Sequence, residues 1–196
     1  MNDLHEFLRS RRSVRRFNPD PIPDSVIERI LTTATYAPSA HNLQPWRFVV
    51  IKNQDIKSRL ARVLTDKMQI DMQHEGAAKS EIEKRVANSI QRINEAPVII
   101  LLCRDTTAVR VNTPEENIMN IQSTALSGLQ IILAARAEGL GANWICWTLY
   151  AIKETQSVLN LPETWEPQGM FIIGYANEIS KDKTLKPIAK LVKIIA

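Results

Sequence analysis

Residues 11–17 read RRSVRRF and place Arg11, Arg12, Arg15 and Arg16 around Ser13. Guanidinium groups fork onto phosphate oxygens, and a hydroxyl adds one more hydrogen bond. A phosphomonoester carries nearly two negative charges, so the set is proportionate to one such group. A solvated basic turn and a nucleic-acid arm are the other readings of this charge. The segment has no interleaved aromatics and no recognition-helix pattern, which weakens the arm. A second segment, residues 38–46 (PSAHNLQPW), holds Ser39 and Asn42 in a loop between Pro38 and Pro45. These side chains can meet the polar edge of a heterocycle; a plain helix-to-strand connection anchored by Trp46 is the alternative. In a third, residues 139–147 (GLGANWICW), Gly139 and Gly141 let backbone approach a flat ligand and offer it N–H groups. A helix cap leading into an aromatic strand reads equally well.

Other chemistries lack a motif. Gly139 and Gly141 begin a GxGxxG pattern, but Trp144 stands at its third glycine and the segment follows a helix. His5, His41 and His74 have no metal-ligand spacing, and Cys103 and Cys146 form no CxxC pair. No Ser-His-Asp arrangement can be assembled around His41. No side chain stands out from the sequence alone as a catalytic acid, base or metal ligand.

The elements that must position these segments follow from periodicity and caps. Asp24 reads as an N-cap before Val26, Ile27, Ile30 and Leu31, which share a helical face ending before Pro38. WRFVVI at 46–51 and VIILLC at 98–103 read as buried strands, the latter covered on both faces. Residues 55–95 are polar and helix-prone, broken at His74-Glu75-Gly76. Thr113-Pro114-Glu115-Glu116 is a capping box with proline at the first helical position. It opens a long helix that ends near Glu138 and Gly139. Ile118, Ile121, Ala125, Gly128, Leu129, Ile132 and Leu133 cover more than one stripe of it, which makes it central. A helix over 152–160, a strand over 170–175 and an added edge strand over 191–195 complete the reading. The fold class is α+β, one domain over 1–196, with a small, mostly antiparallel sheet covered by helices.

Composition narrows the class. The chain has 196 residues, 44% hydrophobic and 23% charged, and 25 basic against 21 acidic side chains give a net charge of +4. That is ordinary globular usage, too weakly basic for a general polyanion binder. Arg9, Arg11, Arg12, Arg15 and Arg16 nonetheless crowd into the first 16 residues. The uncharged stretch 117–135 is too polar for a lipid span, and the N-terminus has no apolar signal core. The expectation is a soluble, cytoplasmic protein that binds neither nucleic acid nor membrane.

Taken in order, RRSVRRF, APSAHNLQPWRFVVI, GLGANWICW and WEPQGMFIIGYANE resemble the FMN-dependent nitroreductase family over most of the chain. The last stretch is similar to the FMN-binding domain of some F420-biosynthesis glutamyl ligases. The resemblance implies an intertwined homodimer with FMN at the interface and two sites built from both chains. It assigns the phosphate to Arg11, Arg12, Ser13 and Arg15. It gives the ring to Pro38, Ser39, Ala40 and Asn42, often from the partner subunit. Asn88 and Gln91 match positions at the pyrimidine edge or ribityl chain, with Arg92 as a basic neighbour. The backbone from Gly139 through Leu140 and Gly141 to Trp144 matches a loop facing the other side of the flavin, and Lys183 a basic tail residue near the phosphate. In such enzymes the flavin carries the chemistry. A hydride comes from NAD(P)H, or from reduced F420, and passes to a nitroaromatic, quinone or other small electrophilic acceptor. A flavin carrier or sensor without turnover is the alternative.

Overall fold

The computed structural model describes residues 3–179 and 183–195. Its centre is β2 (Val98–Asp105), eight consecutive buried residues. Successive strand side chains point to opposite faces, so a strand whose first six residues, Val98 to Cys103, are apolar on both faces must be covered twice. Ile100 and Leu102 enter one apolar cluster, and Ile99, Leu101 and Cys103 enter another. β2 is flanked by β1 (Trp46–Ile51) and β4 (Trp165–Gly174), with β3 (Gly141–Ile145) at the far edge. The order is β1-β2-β4-β3 and every pairing is antiparallel.

Helices α2 (Asp24–Thr35) and α5 (Pro114–Ala137) supply Ile27, Ile30 and Ile131 to the first cluster. Helices α3 (Gln54–His74) and α4 (Lys79–Glu95) supply Leu60, Leu64 and Ile93 to the second. α1 (Leu4–Ser10) precedes the arginine segment and is capped by Asp3, whose side chain accepts from the His5 N–H at 2.8 Å. α6 (Ile152–Leu159) lies between β3 and β4.

Several expectations need correction. Pro23, not Asp24, holds the cap position of α2; Asp24 is its first helical residue and pairs with Lys52. β4 begins at Trp165, five residues before the expected 170, because Pro167 sits where the register shifts between Leu102 and Cys103. A bulge tolerates a proline that a regular ladder would not. No edge strand forms at 191–195. That stretch is exposed, with Ile194 and Ile195 each at 85%, and the nearby regular structure is one 3-10 turn at Ile188–Lys190. The start of the expected basic tail, at Lys181, lies outside the described residues.

The first part of α5 inverts the usual amphipathic pattern. Its inner side buries Asn120, Ser123, Thr124, Ser127 and Gly128 before the apolar Ile131, Ile132, Ala134 and Ala135 take over. Each of the four polar side chains there finds a backbone carbonyl: the Asn120 amide donates to Asp105 at 2.9 Å and the Ser127 hydroxyl to Ala34 at 3.1 Å, while Ser123 and Thr124 donate one turn back. Small residues let the helix lie close, and at Gly128 an added Cβ would come within 2.9 Å of Trp144 and 3.0 Å of Leu102 and Phe171. Ile118, Ile121, Leu126 and Leu129 are left exposed on its other side. We expect Gly128→Val to lower stability by about 1–3 kcal/mol through overpacking, read as a reduced urea midpoint. An unchanged midpoint would mean that the contact relaxes freely.

Candidate functional site

The arginine segment is placed by pairing with an edge. β3 exposes an unpaired ladder, and the chain after α1 fills it. Ser13 bridges Ala142 in parallel, and the Val14 N–H donates to the Ala142 carbonyl at 3.1 Å. Farther on, the Asn18 N–H donates to Tyr175, and the Asn177 N–H donates to Arg16, both at 2.9 Å. Val14 and Phe17 are buried and anchor the segment. Gly141 makes this approach possible, since a Cβ there would lie 2.6 to 2.8 Å from the Val14 side chain.

With Val14 turned inward, Arg15 turns toward a pocket of about 360 Å³. That volume suits a small-molecule site, about 300–1,000 Å³. α3 contributes Leu64, Thr65 and Met68, and α4 contributes Ser89 and Arg92. β3 and the residues after it contribute Asn143 through Trp147, and β4 contributes Met170. Burial is the largest influence on Arg92 and lowers its pKa; the charges of Arg15 and Arg16 lower it further, and Glu178 opposes them. Glu178 also accepts from the Arg15 N–H at 2.5 Å, and Arg16 pairs with Glu95 at 3.0 Å. The wall is therefore cationic, and an incoming anion would relieve the mutual repulsion of its guanidinium groups.

Asn143 is 8% exposed, and its amide makes no hydrogen bond among the described residues. Two guanidinium groups, this amide and the hydroxyl of Ser89 stand beside an apolar lining of Leu64, Met68, Trp147 and Met170, while the Thr65 hydroxyl donates one turn back to the Ala61 carbonyl at 2.8 Å. This donor set fits a flat heterocycle bearing a phosphate, so the residues present are suited to FMN. The two thiols differ: burial pushes the pKa of Cys103, inside the core, up to about 12, while that of Cys146, at the pocket, is raised by partial burial.

The other expected residues lie elsewhere. Asn88 and Gln91 do not line the pocket; Gln91 donates instead to Glu95 at 2.8 Å. Ser89 and Arg92, each one residue on, line it. The signal was present: Ile82, Val86, Ser89 and Ile93 form one helical face of α4. Arg11, Arg12, Gly139, Leu140 and Gly141 line a separate hollow of about 230 Å³ with Arg136. Arg12 is turned back, donating to the Arg9 carbonyl at 2.6 Å and the Arg11 carbonyl at 3.1 Å. Ser13 serves the bridge to β3.

None of Pro38, Ser39, Ala40 and Asn42 touches the pocket. The Ala40 N–H donates to the Ser123 hydroxyl of α5 at 3.0 Å, and the Gln44 N–H to Ser39 at 3.1 Å. Lys183 is exposed in the tail. The 139–147 segment was legible as a candidate, and Asn143 through Trp147 of it line the pocket. Sequence reasoning did not single out Leu64, Thr65 and Met68 of α3 or Met170 of β4, which tertiary packing brings to the pocket and no local pattern announces.

The nitroreductase family model matches residues 8–175. A Methanothermobacter thermautotrophicus protein provisionally named NADH dehydrogenase/NAD(P)H nitroreductase is 25% identical over 180 residues, covering 90% of this chain and 78% of that one. An iodotyrosine dehalogenase 1 homolog of Caenorhabditis elegans is 26% identical over 198 aligned positions, covering 97% of this chain but 61% of its own length. A Desulfovibrio desulfuricans structure, provisionally called a nitroreductase and solved in complex with FMN, superposes with a TM-score of 0.77 at 22% identity. It covers 100% of this chain and 98% of that one. The chain belongs to the nitroreductase family. Membership makes it an NAD(P)H-dependent FMN oxidoreductase by class.

The seat of Arg15 depends on Gly141. Gly141→Val should displace the segment, so the Val14 amide should exchange with solvent deuterium much faster than in the parent protein. Unchanged protection would show that other contacts seat it.

Proposed function

We propose that this chain passes a hydride from NAD(P)H to a small electrophilic acceptor, such as a nitroaromatic or a quinone, by alternate binding of the two substrates at one pocket. The observation that carries this reading is the arginine-walled, apolar-lined pocket between α3, α4 and β3. Bound FMN would supply the hydride relay. Arg15 and Arg92 would hold its anionic groups, and Asn143 and Ser89 its polar edge. Leu64, Met68 and Trp147 keep water from the reacting face, and no side chain is needed as acid or base. The names of the Methanothermobacter and Desulfovibrio proteins support the donor and the cofactor.

The protein works as a homodimer on this reading. The exposed Ile118, Ile121, Leu126 and Leu129 form an apolar face on α5. The loop at 38–42 is tied to the same helix and serves no pocket of its own chain. Pairing two copies through α5 would let Pro38, Ser39, Ala40 and Asn42 close the partner's site, and Lys183 would reach a phosphate from the tail.

Purified protein should be yellow and release FMN on denaturation; a colourless protein that cannot be reconstituted overturns the reading. Arg15→Ala should raise the Kd for FMN about ten- to a hundredfold, the worth of one charge-assisted hydrogen bond, as followed by flavin fluorescence. The double change Ile121→Glu and Leu129→Glu should give a monomer in sedimentation that retains little FMN. A double variant that stays dimeric would rule out α5 as the interface.

A further inference from the structure

The flavin pocket opens sideways into a wider hollow of about 710 Å³. Cys146 and Trp147 line both, so a molecule reaching the first can extend into the second. The floor of the hollow is aromatic. Trp147 and Tyr150 have ring centroids 5.1 Å apart, tilted by 46°. Trp147 is held by Met68, Met72 and Ile82, whereas Tyr150 is 62% exposed and belongs to none of the apolar clusters of the core. Paired only with Trp147 and otherwise open, that ring is available as a stacking surface.

The rim is charged, and its balance is negative. Lys67 is tied to Asp71 one helical turn away on α3. His74 and Glu75 complete the lining, and Glu75 has no ion-pair partner among the described residues. Electron-rich ring faces beside a carboxylate attract cations and electron-poor rings. They repel a carboxylate tail or a diphosphate. The inner and outer pockets therefore have opposite preferences, anionic beside Arg15 and Arg92, cationic beside Trp147 and Tyr150.

We propose that the outer hollow is an acceptor subsite for a planar aromatic group bearing positive charge, so that the substrates are extended aromatic acceptors, cationic at the end far from the reducible group. The chemistry rests on the flavin reading, but the binding preference does not, and the two can be tested apart.

Calorimetric titration of the FMN-loaded protein with 2-naphthyltrimethylammonium and with 2-naphthoate, both inert to reduction, reads the subsite directly. The cation should bind roughly fivefold to tenfold more tightly at low salt. Tyr150→Ala should abolish most of that preference, and Glu75→Lys should reverse it. Equal affinity for the two probes, or affinity indifferent to Tyr150→Ala, overturns the proposal. In turnover, Tyr150→Ala should raise KM for a nitroaryl trimethylammonium acceptor while leaving its kcat and the rate of NADH oxidation with a single-ring quinone unchanged. An equal rise in KM for both acceptors also overturns it. Failure of the flavin reading would instead appear as absent colour and absent NADH oxidation, whatever the probes do.

Discussion

The pairing of β2, apolar on both faces from Val98 to Cys103, with β4 is the constraint on which the architecture depends. Such a stretch cannot sit at a surface, so two layers of helix must close over it. One layer, α2 and α5, packs against Ile100 and Leu102; the other, α3 and α4, packs against Ile99 and Leu101. The pocket is a gap in the second layer, where α3 and α4 stand over the end of β3. Its apolar lining is thus continuous with the core, and its polar groups come from the edges of the sheet.

Charge is distributed with the same economy. The net +4 would be unremarkable if spread evenly. Pairing at the β3 edge and the packing of α4 bring Arg15 and Arg92 to one wall. Glu95 and Glu178 sit behind that wall and compensate it only in part. Cations so confined raise one another's energy, and a bound anion removes that cost. The separation between Arg15 and its neighbour Arg12, which is folded back on its own backbone, follows from the alternation of an extended chain and from Val14 filling the space at Gly141.

What could be read from the sequence was what is determined locally. The β1 boundaries were legible as expected, and so was the start of α5, where the Thr113 hydroxyl accepts from the Glu116 N–H. The capping box forms only on that side, because the Glu116 carboxylate is drawn instead to His41 at 3.2 Å and to the Arg110 N–H at 3.3 Å. The order of motifs exposed the family, and the family fixed the fold class. Illegible were the features decided by distant pairing: the bulge at Pro167, the positive φ of His41, Asn42 and Gln44 in the loop, and the joining of Asn143 to Arg92. Asn88 and Gln91 differ from the pocket-lining Ser89 and Arg92 by a step of one residue along α4. That rotates a side chain by about 100° on a helix of 3.6 residues per turn.

The inverted helix α5 has a consequence for how the sequence can vary. A surface helix normally has one intolerant stripe and a permissive remainder. Here the inner side is constrained by close approach and by hydrogen bonds to the carbonyls of Asp105 and Ala34, and the outer side by the apolar residues it presents. Such a helix has no neutral side on which substitutions can accumulate. Placing charge on its exposed leucines and isoleucines to improve solubility would also remove the apolar face that the proposed pairing of two copies requires.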